Sequence, residues 1–487
     1  MDRGTICLED LAVSYGGRQA LAGVSLRVAA GECVLLTGPS GCGKSTLAHC
    51  LNGLIPHAIP ASLSGRVIVG GHDTARLSVA DLASTVGLVF QNPATQLFNL
   101  TVQDEVAFGP RNLGLCAGEV GRCVDCALAA TGIEHLRERS LRSLSRGEQQ
   151  RLAIAAVLAM GSRILVLDEP MASLDAKGAG EVVGTLARLH QAGVTIVIIE
   201  HRLGAVAHLA PRTVIMSEGR IVADGPTQAV LAERPLLHGL GLCSPADEPP
   251  EDWPALLAHR SAPHGQPIVE LRGIEAGYDA TPVLRALDLT LHAGELAALA
   301  GENGAGKSTL ARVLAGLIRP RRGQLRLPGG RERAAGRDVV LLFQNPLDQL
   351  FCDTVEEEVG FGPCNLGYSD STAIEAALQA TDLTHLRQQP IHCLSVGQQQ
   401  RTALAALLAL KPRLLILDEP TLGQDWGHLC RFMDFLVELS RQGCAILTIT
   451  HDLKLVQHYA RRILLLRDGR IVADGRIGAQ SRNEERE

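Results

Sequence analysis

The sequence predicts an α/β fold that occurs twice, as two tandem domains whose core sheets are mostly parallel. The first observation is a pair of short apolar runs, 33–37 and 296–300, each followed by a glycine-rich turn and a helical pattern. The second is a set of continuous apolar runs, which favours parallel strands covered on both faces. These runs are 164–167, 194–199, 414–417 and 445–449. Strands of this kind that alternate with helical patterns are typical of an α/β core.

A repeat of the same patterns divides the 487-residue chain into domains 1–242 and 268–487. Lys44 and Lys307 are 263 positions apart, whereas Asp168 and Asp418 are 250 apart. The changes in length therefore fall between the motif-bearing elements, in loops. The segment 243–267 contains six prolines between charged residues and is predicted to be the linker.

The overall charge and the N-terminus exclude some classes of protein. A net charge of −6 and a pI near 6.3 disfavour a broad attraction to nucleic acid, so no nucleic-acid partner is expected. The N-terminus lacks the basic, apolar and small-residue progression of a signal peptide. Residues 82–103 are uncharged, but polar residues and Pro93 interrupt them, so a membrane span is not expected. We expect a soluble chain whose membrane role comes through a partner.

Each domain contains a complete phosphate-binding loop, GPSGCGKST at 38–46 and GENGAGKST at 301–309. The glycines let backbone N–H groups curl around phosphate oxygens, and the helix that follows presents its positive end to them. Lys44 and Lys307 are expected to reach the β- and γ-phosphates of ATP, and the serines that follow them to offer a hydroxyl to Mg²⁺. The predicted nucleotide contacts in the two loops are Gly38, Pro39, Ser40, Gly41, Cys42, Gly43, Lys44, Ser45, Thr46, Gly301, Glu302, Asn303, Gly304, Ala305, Gly306, Lys307, Ser308 and Thr309.

An Asp-Glu pair ends one apolar strand in each domain. Asp168 and Asp418 stand at the carboxyl edge of a sheet, where ligands of α/β proteins bind, and are predicted to hold Mg²⁺ directly or through water. Ser45 and Ser308 are the predicted hydroxyl ligands of the same ions. Glu169 and Glu419 are candidate general bases for the attacking water. The structural alternative is an acid that caps a helix before the proline that follows each pair.

A glutamine and a histidine recur at fixed places around these strands. Gln91 and Gln344 each follow an apolar strand end and precede Asn-Pro, and a neutral amide there can contact the metal or the attacking water. His201 and His451 each follow an apolar strand, where an imidazole can hydrogen-bond the γ-phosphate. Alone, these residues would be a turn glutamine and a structural histidine. The offset of 250 between the two histidines, which equals that of the Asp-Glu pairs, favours a catalytic role.

Two of the four tyrosines occupy matching positions. Tyr15 and Tyr278 each lie 23 residues before the first glycine of a phosphate loop. An aromatic ring at that place could stack on adenine. The alternative is a tyrosine that packs in the core.

A Leu-Ser-x-Gly block precedes the Asp-Glu strand in each domain, as LSRGEQQR at 144–151 and LSVGQQQR at 394–401. Ser145 with Gly147, and Ser395 with Gly397, begin a helix rich in alanine and leucine. Their hydroxyl and N–H groups predict a second anion site at a helix start in each domain. This block separates the chain from other phosphate-loop proteins.

The chain resembles the ATP-binding cassette family over nearly its full length, because these blocks occur in the order that is typical of that family. The resemblance implies two P-loop NTPase domains, each with a mostly parallel core sheet, an antiparallel β subdomain and a helical subdomain, that hydrolyse ATP with Mg²⁺. It also implies that the two cassettes of one chain form a pair. Each ATP would be bound by the phosphate loop of one cassette and the Leu-Ser-x-Gly block of the other. Lys44 would then act with Ser395, and Lys307 with Ser145.

A second string follows each glutamine, QNPATQLFNLTVQDEVAFGPRNLG at 91–114 and QNPLDQLFCDTVEEEVGFGPCNLG at 344–367. It resembles the ATPase subunits of energy-coupling factor transporters, which import vitamins and transition-metal ions such as cobalt or nickel, and so does Ile-Ile-Glu-His at 198–201. The resemblance implies a peripheral protein on the cytoplasmic face of the cell membrane. Its partners would be a transmembrane coupling protein and a substrate-binding membrane component. The residues expected to be exposed for such a partner are Leu97, Phe98, Leu350 and Phe351.

The two domains differ at several positions near the sites. TLGQD at 421–425 stands where the first domain has ASLD at 172–175, and Gln398 stands in place of Glu148, so the sites are expected to be chemically unequal. One alternative function is the ATPase of another importer class. Another is a soluble twin-cassette ATPase that acts on ribosomes or nucleic acid, against which the proline-rich linker and acidic balance argue.

Overall fold

The computed structural model describes residues 4–172, 174–242, 244–245, 257–259, 265–278, 281–327, 338–367, 371–394, 396–420, 426–450 and 452–477. The chain forms two compact units, Met1–Glu248 and Pro249–Glu487. The division falls inside the predicted linker 243–267, most of which lies outside the described residues. The domain limits 1–242 and 268–487 stay a prediction. Part of the predicted linker, Leu257–His259, forms a strand that pairs with the sheet of the second unit.

The first unit contains ten strands and ten α-helices, besides short 3₁₀ helices, in the residues that the structure describes. Its strands are β1 Ile6–Tyr15, β2 Arg18–Val28, β3 Cys33–Thr37, β4 Ser62–Val69, β5 His72–Asp73, β6 Val86–Val89, β7 Ile164–Asp168, β8 Thr195–Ile199, β9 Arg212–Ser217 and β10 Arg220–Pro226. Its helices are α1 Lys44–Leu51, α2 Leu54–His57, α3 Val79–Leu82, α4 Val102–Asn112, α5 Ala117–Thr131, α6 Arg146–Leu158, α7 Ala176–Gln191, α8 Leu203–Val206, α9 Thr227–Ala232 and α10 Arg234–Gly239.

The central sheet of the first unit has six strands in the order β10-β9-β3-β8-β7-β6. All neighbours are parallel except β10 and β9. Strands β3 and β8 are buried at every position, as expected of parallel strands covered on both faces. A separate antiparallel sheet, β2-β1-β4-β5, shares a hydrophobic core with β3 and α1.

The second unit repeats this arrangement with fewer short elements. Its strands are β11 Leu257–His259, β12 Pro267–Ala276, β13 Leu284–His292, β14 Leu296–Ala300, β15 Arg322–Arg326, β16 Val339–Leu342, β17 Leu414–Asp418, β18 Ala445–Ile449, β19 Arg462–Arg467 and β20 Arg470–Ile477. Its helices are α11 Lys307–Leu314, α12 Val355–Asn365, α13 Ser371–Ala380, α14 Val396–Leu408, α15 Trp426–Arg441 and α16 Leu453–Tyr459. The central sheet has the order β11-β20-β19-β14-β18-β17-β16, and the antiparallel sheet the order β13-β12-β15.

A helical part projects from each central sheet. In the first unit α4, α5 and α6 share a core that includes Val106, Leu128 and Leu152. Helix α6 begins at Arg146 because Ser145 and Glu148 form a capping box. The Ser145 hydroxyl accepts from the Glu148 N–H at 3.3 Å, and the Glu148 carboxylate accepts from the Ser145 N–H at 2.7 Å. In the second unit α12, α13 and α14 occupy the same places in sequence order.

The predicted fold class is confirmed in both units. Each has a mostly parallel central sheet, an antiparallel sheet and a group of helices, and helices begin at Lys44 and Lys307 as predicted. The apolar run 82–103 becomes strand β6, a loop and the start of α4. Among the residues that the structure describes, no helix combines the length and apolar character needed to cross a membrane.

Close packing of β6 against α6 gives a test of the fold. A Cβ added to Gly87 would lie 1.7 Å from Cγ1 of Val157. Gly87→Ala is therefore expected to lower the free energy of unfolding by about 1–3 kcal/mol, because the core is overpacked. Gly121→Ala is the matched control, since Gly121 lies on an exposed face of α5 with open space around it. Gly121→Ala should raise the free energy of unfolding by about 0.5–1 kcal/mol. Urea unfolding of the whole chain measures both, and equal midpoints would contradict the packing.

Candidate active sites

The phosphate loops join β3 to α1 and β14 to α11. Gly38 and Gly301 have φ angles of 151° and 150°. A Cβ would lie 2.1 Å from the Met216 carbonyl oxygen at the first position and 2.2 Å from the Leu466 carbonyl oxygen at the second. Only glycine fits such a close approach of two backbone segments. The loop geometry of both predicted sites is therefore the same.

The lysine of each loop is buried and folds back over its own loop. Lys44 Nζ donates to the carbonyl oxygens of Gly38 and Pro39, at 2.8 Å each. Lys307 Nζ donates to the two equivalent carbonyls, at 2.7 and 2.9 Å. Each ammonium group thus lies within the curl of the loop, where the prediction requires a cation to meet a phosphate chain.

A hydroxyl and a carboxylate meet beside the first phosphate loop. Ser45, in the first turn of α1, lies near enough to Asp168 at the end of β7 for its hydroxyl to influence the pKa of that carboxyl. Burial raises the pKa of Asp168 and the charge of Glu169 adds to this, whereas Ser45 and Lys44 oppose the rise. Hydroxyl and carboxylate oxygens are hard ligands that suit Mg²⁺, which also takes water and phosphate oxygens. The pair fits the predicted metal position.

Two side chains converge on Glu169, directly after β7. Gln91 Nε2 donates to Glu169 Oε2 at 2.6 Å, and His201 Nε2 lies 3.0 Å from Glu169 Oε1. Gln91 follows β6 and His201 follows β8. These three strands are parallel neighbours, so their carboxyl ends share one edge of the sheet. The structure therefore brings together three of the predicted catalytic residues of the first cassette.

The electrostatics keep Glu169 ionised despite its burial. Burial is the largest single influence and by itself would raise the pKa of Glu169, but the hydrogen bond and charge of His201 oppose it. The charge of Lys44 and the hydrogen bond from Gln91 act in the same direction, so the pKa lies below its ordinary value. A carboxylate that is ionised at neutral pH can accept a proton from water.

Both candidate bases have the same unusual backbone. Glu169 has a φ of 47° and Glu419 a φ of 52°, in the left-handed region that residues other than glycine rarely adopt. The Glu169 N–H donates to the Ile199 carbonyl at 2.9 Å, and the Glu419 N–H donates to the Ile449 carbonyl at 2.9 Å. Strain of about 1–3 kcal/mol persists only where the surroundings impose it, and it clusters at functional sites.

The second cassette places its residues on matching elements. Gln344 follows β16, Asp418 ends β17, and Glu419 comes next and is buried. The predicted metal ligand Ser308 lies in the first turn of α11. Two predicted site residues, Ser395 and His451, lie outside the described residues, as does the segment 421–425. Their roles stay predictions.

The two tyrosines differ in their surroundings. The Tyr15 hydroxyl donates to Thr46 Oγ1 on α1 at 3.4 Å, and the half-buried ring packs against the core. Tyr278 is 46% exposed, and its hydroxyl accepts from Arg312 Nη1 on α11 at 2.6 Å. The Arg312 guanidinium lies 6.0 Å from the ring centroid. Both tyrosines thus contact the helix that follows the phosphate loop, and adenine stacking stays a prediction for both.

The Leu-Ser-x-Gly residues lie at the helix start that the sequence predicts. Ser145 is the N-cap of α6, and Gly147 lies buried in its first turn. A Cβ on Gly147 would lie 3.3 Å from the Gly178 Cα of α7, so the two helices approach closely there. Gly397 lies in the first turn of α14, which begins at Val396. Binding of phosphate at these helix starts stays a prediction.

One prediction about exposure is wrong in part. Leu97 and Leu350 were expected to be exposed, but both are half-buried and pack against the core of the helical part. Their loops turn these side chains inward, whereas the next residues point out. Phe98 is 62% exposed and Phe351 is 64% exposed, as expected.

Three buried glutamates were not predicted as site residues from the sequence. Glu200 lies directly after β8, and burial together with the charge of Glu169 raises the pKa of Glu200. Glu105 and Glu358 lie in α4 and α12 and are also buried. A signal existed for each. Glu200 is an acid at the end of an apolar run, where the repeat has Thr450, and the other two belong to the repeated Glu-Val of the long string.

Comparison with known proteins agrees with this geometry. Residues 21–172 and 284–422 match the family described as ABC transporter. A Methanosarcina mazei protein named as an ABC transporter ATP-binding protein is 37% identical, over 98% of this chain and 90% of its own. A protein of the same name from Methanosarcina acetivorans is 40% identical, over 95% of this chain and 84% of its own. The solved structure of cbiO1 from Clostridium perfringens, described as part of the ABC transporter complex cbiONQ, is 35% identical. It covers 48% of this chain and 94% of its own, with a TM-score of 0.44.

Two phosphate loops, each with an Asp-Glu pair at a strand end and a Leu-Ser-x-Gly block at a helix start, define a tandem P-loop ATPase. The chain belongs to the ABC transporter family. It is an ATP-binding transporter subunit of a family that hydrolyses ATP.

The contacts of Glu169 lead to a first prediction on chemistry. Glu169→Gln together with Glu419→Gln is expected to lower the rate of ATP hydrolysis by ~10²–10⁴-fold, because proton transfer from water is lost. Binding of ATP should persist, since the substitution is isosteric and leaves the phosphate loops intact. Phosphate release measures the first effect, and equilibrium binding of labelled ATP the second. Steady-state turnover of the double variant at the wild-type rate would rule out the general-base role.

Proposed function

We propose that this chain is the ATP-hydrolysing subunit of an energy-coupling factor type importer for a vitamin or a transition-metal ion. In this proposal it docks on the cytoplasmic face of the membrane against a transmembrane coupling protein, which works with a substrate-binding membrane component. Mg²⁺ accompanies ATP at the Asp168 and Asp418 positions. The observation that carries the proposal is an exposed pair of phenylalanines that occurs beside the catalytic glutamine in both cassettes.

These two phenylalanine pairs have the same geometry. The rings of Phe98 and Phe108 meet edge to face, with centroids 4.7 Å apart at 86°. The rings of Phe351 and Phe361 do the same at 4.5 Å and 81°. All four side chains are exposed, which is costly for aromatic rings in water and is typical of a surface that binds a partner. An amphipathic helix of a membrane protein is the partner that such an apolar surface suits.

Buried glutamates hold the loops that present these rings. Glu105 Oε2 accepts from the N–H groups of Phe98 and Asn99, at 3.0 and 2.8 Å. Glu358 Oε2 accepts from the N–H groups of Phe351 and Cys352, at 2.9 and 2.8 Å. Hydrogen bonds to a charged acceptor are stronger than neutral ones. The loops are thus ordered before a partner binds, which lowers the entropy lost on association.

The segment between Gln91 and Phe98 supports a link between docking and hydrolysis. Gln91 contacts Glu169 at one end, and Phe98 lies at the other. Between them, Gln96 holds the segment to β6, because its Oε1 accepts from the Phe90 N–H at 3.2 Å and its Nε2 donates to the Leu88 carbonyl at 3.1 Å. A short segment held at several points can pass a displacement of the surface to the catalytic residues.

The resemblance to the ATP-binding cassette family supports one further element of the proposal. Each cassette has a phosphate loop and a Leu-Ser-x-Gly helix start, and we propose that the two ATP sites are each composed from both cassettes. Lys44 then acts with Ser395, and Lys307 with Ser145. Two intact cassettes in one chain supply every part of both sites.

The docking proposal predicts a loss of membrane association. Phe98→Ala with Phe351→Ala should keep the basal ATPase rate, since both side chains are exposed and neither is a predicted nucleotide, metal or catalytic residue. The double variant should move from the membrane fraction to the supernatant when it is co-expressed with the membrane-protein genes that neighbour its own. Val222→Ala with Val472→Ala is the matched control, because these valines are 46% and 53% exposed at equivalent places on β10 and β20. Retention of the phenylalanine variant with its membrane partner at wild-type yield would contradict the proposal.

The composite sites predict a pattern of non-additivity. Lys44→Ala and Ser395→Ala should damage the same site, so the double variant should hydrolyse ATP little more slowly than the worse single variant. Lys44→Ala with Ser145→Ala disables both sites, so this double variant should hydrolyse ATP far more slowly than either single variant. ATPase rates over the two four-member cycles measure both. A double variant in the first cycle that is far slower than either single variant would indicate that each cassette works alone.

A further inference from the structure

Glu200 is a buried glutamate that is not among the residues predicted to bind ATP, to hold the metal or to activate water. It stands between Ile199, the last residue of β8, and His201, and it is 1% exposed. Burial of a glutamate is costly unless its oxygens are hydrogen-bonded. The partners of Glu200 therefore indicate what the residue is for.

The carboxylate of Glu200 joins two segments of the first cassette. Oε1 accepts from the N–H groups of His201 and Arg202, at 2.8 and 3.1 Å. Oε2 accepts from the N–H of Met171 at 3.2 Å. Met171 is fully buried and lies two residues after Glu169. One carboxylate thus holds the turn that carries His201 and the segment that follows the candidate base.

Arg202, the residue after His201, also connects these two segments. Its Nη1 donates to the carbonyl oxygens of Met171 and Leu174, at 3.4 and 3.3 Å. Met171 therefore gives its N–H to Glu200 and its carbonyl to Arg202. We call this set of contacts, from Glu200 and Arg202 to Met171 and Leu174, the Glu200–Arg202 brace.

The brace surrounds the contact that matters for hydrolysis. His201 lies between the two brace residues, and its Nε2 is 3.0 Å from Glu169. Glu169 itself has the left-handed φ of 47°, which persists only if the surrounding structure imposes it. Fixing Met171 fixes the chain two residues beyond Glu169, and fixing the turn after β8 fixes His201. The brace thus sets the distance between the candidate base and the residue that contacts it.

The second cassette has other residues at the two brace positions. Thr450 and Asp452 stand where the first cassette has Glu200 and Arg202. The Thr450 hydroxyl accepts from the Asp452 N–H at 3.0 Å, and the Asp452 carboxylate caps α16 through the Leu455 N–H at 3.0 Å. A carboxylate at position 452 can only accept hydrogen bonds, so it cannot bind backbone carbonyls as the Arg202 guanidinium does.

We propose that Glu200 and Arg202 are positioning residues that hold Glu169 and His201 in register for ATP hydrolysis, and that only the first cassette depends on them. The two hydrolytic centres of the chain are therefore unequal in how they are assembled. The inference concerns ATP hydrolysis by the chain and does not rest on the identity of its membrane partner.

Glu200→Gln keeps the shape of the side chain, so it tests the hydrogen bonds of the brace separately from the packing of the core. In Glu200→Gln an amide N–H₂ replaces one oxygen, so at least one of the three backbone donors faces another donor. Misplacement of a catalytic group by about 1 Å costs up to ~10²-fold in rate. If the two centres are independent, a nearly complete loss at the first centre lowers the kcat of the full chain by up to ~2-fold, and if they are coupled the kcat falls by up to ~10²-fold. The KM for ATP should change less than ~2-fold, because the phosphate loops are untouched.

Hydrogen exchange gives a readout that does not depend on turnover. In Glu200→Gln, amides in 169–175 and 200–206 should exchange faster, with no change in the rest of the unit and no large loss of melting temperature. Arg202→Ala should have the same effects, and Arg202→Lys should restore part of the rate, because an ammonium group can still donate to one carbonyl. Thr450→Val, the matched change in the second cassette, should retain the wild-type kcat.

The outcomes are distinct. Faster amide exchange that is confined to 169–175 and 200–206, together with a lowered kcat and an unchanged KM, supports the brace. Wild-type kcat in Glu200→Gln overturns it. Faster exchange throughout residues 1–248 with a lower melting temperature would make Glu200 a structural acid of the core and would also overturn it. A fall in kcat for Thr450→Val equal to that for Glu200→Gln would contradict the inequality of the two centres.

Discussion

The shared edge of three parallel strands governs the first site. Because β6, β7 and β8 are neighbours, the residues that follow them meet although they are far apart in sequence. This places the amide of Gln91 and the imidazole of His201 on the carboxylate of Glu169. The arrangement buries a charged group and strains the backbone of Glu169, and these two contacts, together with the charge of Lys44, offset the burial. The pKa of the Glu169 carboxyl therefore stays below its ordinary value.

Repetition within one chain preserves the framework but not every contact. A dimer of identical chains with twofold symmetry has two identical sites, since each residue occurs in both. A tandem chain has no such restriction, and this one differs between its halves. Glu200 and Arg202 correspond to Thr450 and Asp452, and Glu148 corresponds to Gln398. The positive φ of Glu169 and Glu419 is common to both halves.

The loop that follows β6 runs from the candidate active site to the exposed surface. Gln91, the second residue of this loop, contacts Glu169, and Phe98 near its other end is exposed. Glu105 holds the backbone of Phe98 and Asn99, and the second cassette repeats this contact with Glu358. A buried carboxylate that binds backbone N–H groups makes the loop rigid, and a rigid loop is better able to pass a displacement to the catalytic edge than a flexible one.

Contiguous patterns in the sequence determined the α/β class, the two phosphate loops, the strand ends at Asp168 and Asp418 and the helix start at Ser145, because local turns, caps and apolar runs encode each of them. The proximity of Gln91, Glu169 and His201 needed only the added rule that parallel strands end at one edge. The tertiary structure alone decided the rest. Leu97 is half-buried while Phe98 is exposed, and Glu200 and Glu105 are buried acids. Burial and hydrogen-bond partners depend on segments that are distant in sequence, so the local pattern around a residue can draw attention to it but does not specify its partners.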